Sequence, residues 1–190
     1  MGRVYSEISE ELVSWIEAQP MFFVATAVPE SDTHVNLSPR GLDTFRVLDP
    51  SRVAWLDLTG SGVETIAHLK AGGRITLMFC AFEGSPQILR LYGHGRWHEP
   101  GDVDFDGLRT LFPEFPGERA IVDVAVHRVA TSCGYGVPRM ELSEPREELL
   151  VSAESKGPEK MARYRDRRNA QSIDGLPGMG NSNDRGGVPT

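Results

Sequence analysis

Near the start of the chain, apolar residues recur at helical spacing. Ile8, Leu12, Trp15 and Ile16 follow Ser6 and Ser9 and stop before Pro20, which predicts a short amphipathic helix over residues 9–18. The period then changes. Six runs are rich in β-branched and aromatic residues and are bounded by Pro, Gly, Asp or Ser: "MFFVATAV" (21–28), "THVNLSP" (33–39), "RVAWLDL" (52–58), "RITLMFCAF" (74–82), "QILRLYGHGRW" (87–97) and "AIVDVAVHRVATS" (120–132). Six strands between residues 21 and 132 predict a barrel or a sandwich. Two short helices interrupt them, 63–71 closed by Gly72 and Gly73, and 104–112 closed by Pro113. They decorate the sheet without the regular alternation of a doubly wound fold. After Pro145 the pattern turns helical, in two segments parted by "KGP" at 156–158, and the polar, glycine-rich residues 178–190 read as a disordered tail.

One strand carries an unusual face. In "QILRLYGHGRW", alternation sets Leu89 and Leu91 on one side and Arg90, Tyr92, His94 and Arg96 on the other. That second side meets solvent, or something polar or anionic. For Arg90, flanked by leucines near the middle of the strand, a ligand or a partner subunit competes closely with plain exposure.

Composition narrows the function classes. With 190 residues, 39% apolar and 25% charged, the chain can fold as one domain with a sizeable core. It has no apolar run of spanning length and its N-terminus lacks signal-peptide order, so the expectation is a cytoplasmic protein that binds no membrane. A net charge of -7 argues against general nucleic-acid binding. From Lys156 onward, seven basic residues face four acidic ones, and "KMARYRDRRN" reads as a solvated helix face, with a basic flap over an anionic ligand as the minority reading. The two cysteines, Cys80 and Cys133, lie in dissimilar contexts and suggest no disulfide framework.

Familiar catalytic patterns are missing. His94 and His98 lack a third ligand at recognised spacing, so no metal site is expected, and "GSG" at 60–62 is not a serine-nucleophile elbow. The remaining candidate is "DLTGSGVETIAHLKAGG" (57–73), where a glycine-and-hydroxyl turn hands a strand to a helix. Such a junction suits an anion, because backbone N–H groups and the positive end of the helix dipole point outward there. Plain helix capping by Ser or Thr is the competing explanation, and the stretch matches neither the P-loop nor the dinucleotide fingerprint.

The order of "FFVATA", "HVNLSPRG", "RVAWLDLTGSGVETIAHLKAGGRITLMFC", "LRLYGHGRW" and "VDVAVHRVATSCGYGVP" resembles the pyridoxamine 5'-phosphate oxidase-like flavoproteins of the FMN-binding split-barrel fold. The resemblance spans residues 5–140 and, weakly, the C-terminal "RNAQSIDGLPG". It implies a mainly β protein, a six-stranded Greek-key split β-barrel with short peripheral helices and a helical C-terminal segment. The division it implies is an FMN-binding domain over 1–145 that includes the N-terminal helix, a helical extension over 146–177 packed on the barrel or on a partner subunit, and a tail over 178–190.

The same resemblance implies a homodimer holding FMN between its subunits. Carried over, the phosphate falls to Arg40, Thr59, Ser61 and Thr65, with Gly60 and Gly62 allowing close approach. Asn36, Ser38, Asp57 and Leu58 would lie near the ribityl chain or ring edge, and Arg90 would reach in from a later strand. Two departures stand out. True pyridoxamine phosphate oxidases carry Arg-Lys where this chain has Glu64 and Thr65, and the C-terminal motif that receives the vitamin is missing, which argues against vitamin B6 oxidation. The expectation is an FMN-dependent oxidoreductase acting on an unidentified small molecule, with no side chain singled out as a catalyst because the flavin supplies the redox chemistry. The alternatives are a deazaflavin-dependent reductase and a non-enzymatic flavin carrier.

Overall fold

The computed structural model of the chain describes residues 2–29 and 32–179. In chain order the elements are β1 (Arg3–Tyr5), α1 (Glu10–Glu17), β2 (Met21–Ala27), β3 (Asn36–Gly41), β4 (Phe45–Asp49), β5 (Arg52–Leu58), α2 (Glu64–Lys70), β6 (Arg74–Cys80), β7 (Ile88–His98), α3 (Val103–Arg109), β8 (Glu118–Ser132) and α4 (Glu148–Arg168). The strands form one antiparallel sheet in the order β3-β2-β6-β7-β8-β5-β4, with β1 added against β8. Its two ends, β3 and β4, are not paired to each other. The curled sheet is therefore a split barrel.

The sheet has eight strands where the sequence pattern predicts six. β1 has three residues, two of them exposed, so it shows no alternation, and β4 follows β3 after three residues in a stretch without turn dipeptides. The other bounds follow the hydrophobic pattern, as side-chain burial demands. Ser9 caps α1, its hydroxyl accepting from Leu12 N at 3.3 Å, and Leu12 and Ile16 are the residues that helix buries.

Inside the curl, Phe22, Val24, Trp55, Leu77, Phe79, Leu89, Leu91, Val122 and Val124 make the main core, closed at one end by α1. Phe22, Phe45 and Phe79 meet at centroid distances of 4.9 to 5.5 Å. A second cluster seats α3 against Ala54, Leu56 and Ile121 on the outer face of β5 and β8. A third holds Val63, Ile66 and Ala67 of the α2 region against Ala120 and Met179, and so fastens the end of the described chain to the barrel.

α4 bends at Gly157, whose φ of 68° breaks the helix next to Pro158, as the "KGP" punctuation predicts. Beyond it, residues 169–179 are not helical. They fold back on themselves, Gly178 N donating to Ala170 O and Met179 N to Asn169 O. The tail expected over 178–190 lies, beyond Met179, outside the described residues.

A partly buried ion pair on the sheet gives the fold a defined acid response. Arg52 forks onto Asp123, Nε to Oδ1 at 2.9 Å and Nη2 to Oδ2 at 2.6 Å. Burial pushes the Asp123 carboxyl up, but His98 and the Arg52 fork outweigh it and hold the group at about 2. His98 Nε2 stands 3.7 Å away, beyond hydrogen-bond reach, so the fork carries most of the effect. A carboxyl held below its unfolded value, about 3.9, stabilises the fold above that pH and loses the contribution as the pH falls toward 2. Asp123→Asn is expected to lower stability at pH 7 and to approach the wild type at pH 2.5. Urea unfolding at both pH values checks this; a deficit of equal size at both would contradict it.

Candidate functional site

Cross-strand register sorts the expected residues onto faces, because directly opposed residues share a side of the sheet. Asn36, Ser38 and Arg40 of β3 oppose Thr26, Val24 and Phe22 of β2, so they look into the barrel. Asp57 shares a face of β5 with the core residues Val53 and Trp55 and looks the same way. Leu58 packs on the other side, against the cluster beneath α3.

A polar cluster lines this inner side beside α2. Asn36 Nδ2 donates to Thr26 Oγ1 at 3.0 Å and to Thr65 Oγ1 at 3.1 Å, and Ser38 Oγ donates to Asn36 Oδ1 at 2.8 Å. Thr26 Oγ1 also lies 3.0 Å from His68 Nδ1, while the buried His68 Nε2 has no partner. Thr65 accepts from Asn36 and keeps its own hydroxyl proton to donate.

Arg40 and Asp57 meet across the split. Arg40 Nη2 is 3.2 Å from Asp57 Oδ1, an ion pair without hydrogen-bond geometry, so Arg40 Nε and Asp57 Oδ1 both remain buried without a hydrogen bond. Asp57 is held firmly from the other side by Arg119, Nε to Oδ2 at 2.7 Å. Burial alone would push the Asp57 carboxyl up, but the Arg119 and Arg40 charges outweigh it and keep the group ionised well below the usual carboxylate range.

Arg119 continues into the glycine turn. Its Nη1 donates to Gly62 O at 2.8 Å and to Asn169 Oδ1 at 3.0 Å, and Asn169 Nδ2 donates to Gly60 O at 3.2 Å. Thr59 N is tied to Gly117 O at 2.8 Å. The turn's carbonyls are thus pinned toward the protein. The Ser61 side chain is exposed and makes no hydrogen bond among the described residues.

These contacts remove capping as the purpose of the hydroxyls. The residue preceding α2 is Val63, with no side-chain hydrogen bond to the helix, and Thr65 is engaged with Asn36 instead. The glycine surface is open at Gly60, where an added β-carbon would meet nothing within 4 Å. At Gly62 a β-carbon would stand 2.1 Å from Glu64 Oε2. An oxyanion already rests against the turn.

The donor set fits a phosphate monoester: a buried Arg40 Nε without an acceptor, a free Ser61 hydroxyl, a Thr65 proton, and glycines that permit close approach. Three contributors escaped the sequence reading. Arg119, Asn169 and Arg165, whose Nη1 lies 3.4 Å from Thr59 Oγ1, come from far along the chain. The hints were the weak likeness around "RNAQS" and, for Arg165 and Asn169, the minority reading of "KMARYRDRRN" as a basic flap over an anionic ligand.

Arg90 stands apart. It is aligned with Met78, and Met78 with Phe23, Phe23 with Pro39, which places all four on the outer face of the sheet. There its Nη1 donates to Ser132 Oγ at 3.2 Å. The same face carries Tyr92 and the exposed Leu37.

Among known proteins, the chain is 39% identical over 198 residues to the pyridoxamine 5'-phosphate oxidase family protein ustO of Aspergillus flavus, covering 92% of this chain and 77% of that protein. No protein-family model matches it. Its fold is similar to that of a candidate pyridoxamine 5'-phosphate oxidase from Lactobacillus delbrueckii, with a TM-score of 0.51 and 23% identity over 66% of this chain and 94% of that one. It is similar also to a histidine-to-alanine variant of HupZ from Group A Streptococcus, with a TM-score of 0.51 and 19% identity over 66% of this chain and 99% of that one. At these identities the two structures bear on the split-barrel fold alone. Among the described residues, no helix is long and apolar enough to cross a membrane.

Proposed function

The chain belongs to the pyridoxamine 5'-phosphate oxidase family, and from that premise we infer that it binds FMN, with the phosphate on the Arg40 side of the glycine turn, and acts as an oxidoreductase on a small molecule. The observation that carries this reading is the convergence of unsatisfied donors. Arg40 Nε is buried without an acceptor, Ser61 offers a free hydroxyl, and Thr65 retains a proton, all beside a turn whose carbonyls are held inward by Arg119 and Asn169. A phosphate would supply the acceptors these groups lack, and it would have to displace the Glu64 carboxylate that rests on Gly62.

Bound flavin would supply the redox chemistry. The chain's part is to hold the phosphate, to place Asn36 and Ser38 toward the ribityl chain, and to keep water from the ring. Arg90 belongs to the same reading only if two copies pair. It lies on the face opposite Arg40, so it reaches a flavin on this turn from a second subunit, packed through the outer face that bears Leu37, Tyr92 and Phe23. Two-fold pairing is also the commonest form of oligomer.

Purified protein is expected to be yellow, to release FMN on extraction, and to scatter light as twice the 20.9 kDa chain. Reduction of the bound flavin by a nicotinamide cofactor, with turnover on a panel of acceptors, distinguishes an enzyme from a carrier. A colourless protein that takes up only a deazaflavin would overturn the FMN assignment, and a monomer that retains FMN would overturn the shared site.

A further inference from the structure

The start of α2 poses a charge problem. Its first two residues are Glu64 and Thr65, and its basic residues lie in the last turn, so the glycine turn receives no cation from the start of its own helix. The C-terminal helix brings one from elsewhere. Arg165 is half-buried over the end of β5, and its one side-chain hydrogen bond among the described residues is the long 3.4 Å contact with Thr59 Oγ1. It makes no ion pair with a carboxylate among the described residues. Burial lowers its affinity for the proton, and the nearby Arg119 adds to that effect, against the pull of Asp166 and Glu99. A guanidinium held close to a second one, with most of its donors unused, has a place for an anion.

The position is built rather than incidental. Asn169 lies one helical turn beyond Arg165 and its N–H bonds to Arg165 O at 2.7 Å. Asn169 is fully buried, donates to Gly60 O and accepts from Arg119, so the end of the helix is clamped onto the turn. Lys70 Nζ adds a hydrogen bond to Gly178 O, and His34 N and Nδ1 hold Asp174 at 2.9 and 2.6 Å, fixing the segment that follows. Arg40 touches Asp57 and Arg165 touches Thr59, two residues further on. Thr59 follows directly on the end of β5, so the two guanidinium groups flank the same junction of strand and glycine turn.

We propose that Arg165 is a ligand of the cofactor phosphate, supplied by the C-terminal helix because the first turn of α2 offers no cation. The inference rests on the FMN reading and extends it: the C-terminal extension is part of the binding site, and the phosphate is gripped from both sides of the turn by Arg40 and Arg165.

The test compares FMN with riboflavin, which lacks the phosphate, on the full chain freed of flavin. Arg165→Gln keeps much of the side chain's packing and is the primary variant, and Arg165→Lys restores charge. Arg167→Ala, on the exposed side of the same helix, is the control. Arg165→Gln is expected to weaken FMN about tenfold or more, as loss of a charge-assisted contact does. Its riboflavin affinity should stay within about twofold, Arg165→Lys should recover much of the loss, and Arg167→Ala should match the wild type. Tight FMN binding by the wild type together with unchanged binding by Arg165→Gln overturns this inference alone. Equal weakening of FMN and riboflavin also overturns it, since that is the mark of a helix that has merely shifted. A wild type that takes up no FMN overturns the underlying reading instead.

Discussion

Arg119→Ala is expected to lower the free energy of unfolding at pH 7 by about 3 to 5 kcal/mol, the range for breaking a buried ion pair by removing one partner. Arg119 is 2% exposed and Asp57 is 1% exposed, and the pair is joined at 2.7 Å. Without Arg119 the Asp57 carboxylate keeps only Arg40, whose contact lacks hydrogen-bond geometry, and Gly62 O and Asn169 Oδ1 lose a donor. Two further outcomes separate a stranded charge from general loss of packing. In the wild type the Asp57 carboxyl is held below its unfolded value, so its stabilising contribution is present above about pH 4 and lost in acid. In the variant burial raises the same group, and protonation relieves the penalty. The deficit should therefore shrink between pH 7 and pH 4. Asp57→Asn added to Arg119→Ala should recover part of it at pH 7, because a neutral amide costs less to bury than an unpaired carboxylate. Chemical denaturation at the two pH values reads both effects, and a deficit independent of pH and of the Asp57 substitution would contradict the account.

Arg40→Ala is expected to weaken FMN by about 10- to 150-fold, corresponding to about 1.5 to 3 kcal/mol for a hydrogen bond to a charged group. The Arg40 Nε is buried without an acceptor and belongs to a group that stays charged, so its loss removes a charge-assisted contact. Its stability cost is expected to be smaller than that of Arg119→Ala, since Asp57 keeps the shorter of its two arginine contacts. Arg96 provides the contrast. It sits exposed toward the end of β7, so Arg96→Ala should leave FMN affinity within about twofold of the wild type. Flavin titrations well below the melting temperature check this, and equal losses at the two positions would show that the phosphate is not beside Arg40.

Much of the frame is legible in the sequence because burial imposes a period. β5 has the bounds its apolar run predicts, and β7 buries Leu89 and Leu91 completely while Arg90 and Tyr92 stay on the outer face. β1 and β4 were invisible for a physical reason: a three-residue strand with one half-buried side chain and a five-residue edge strand with none fully buried are too short to display a period. The hydroxyls of "TGSGVET" could be recognised as special only by type, since Ser and Thr serve caps and ligands alike. Register and contact decide between those uses, placing Thr65 on Asn36 and leaving α2 without a side-chain cap.

The residues that escaped notice are those whose meaning is entirely long-range. Arg119 opens a strand after "PGE" and looks like an ordinary surface charge, yet a shift in register between Asp57 and Leu58 accompanies its burial against Asp57. Arg165 and Asn169 sit in a basic run that reads first as a solvated helix face and only second as a flap over an anionic ligand, and most of that run is exposed. Arg165 and Asn169 are not, and they bond to partners more than a hundred residues earlier. No local pattern marks them, because what selects them is the packing of α4 and the segment after it on the turn.

The central claim is that the glycine turn holds the phosphate of FMN. It is tested most directly by titrating the flavin-free wild type with FMN and with riboflavin side by side, then repeating both titrations with the Ser61→Ala, Thr65→Ala double variant. The account predicts that the wild type prefers FMN by at least about a hundredfold, the scale of two charge-assisted contacts. It also predicts that the double variant loses FMN affinity while its riboflavin affinity scarcely moves. Equal affinity of the wild type for the two flavins would contradict it, as would a double variant that weakens both alike.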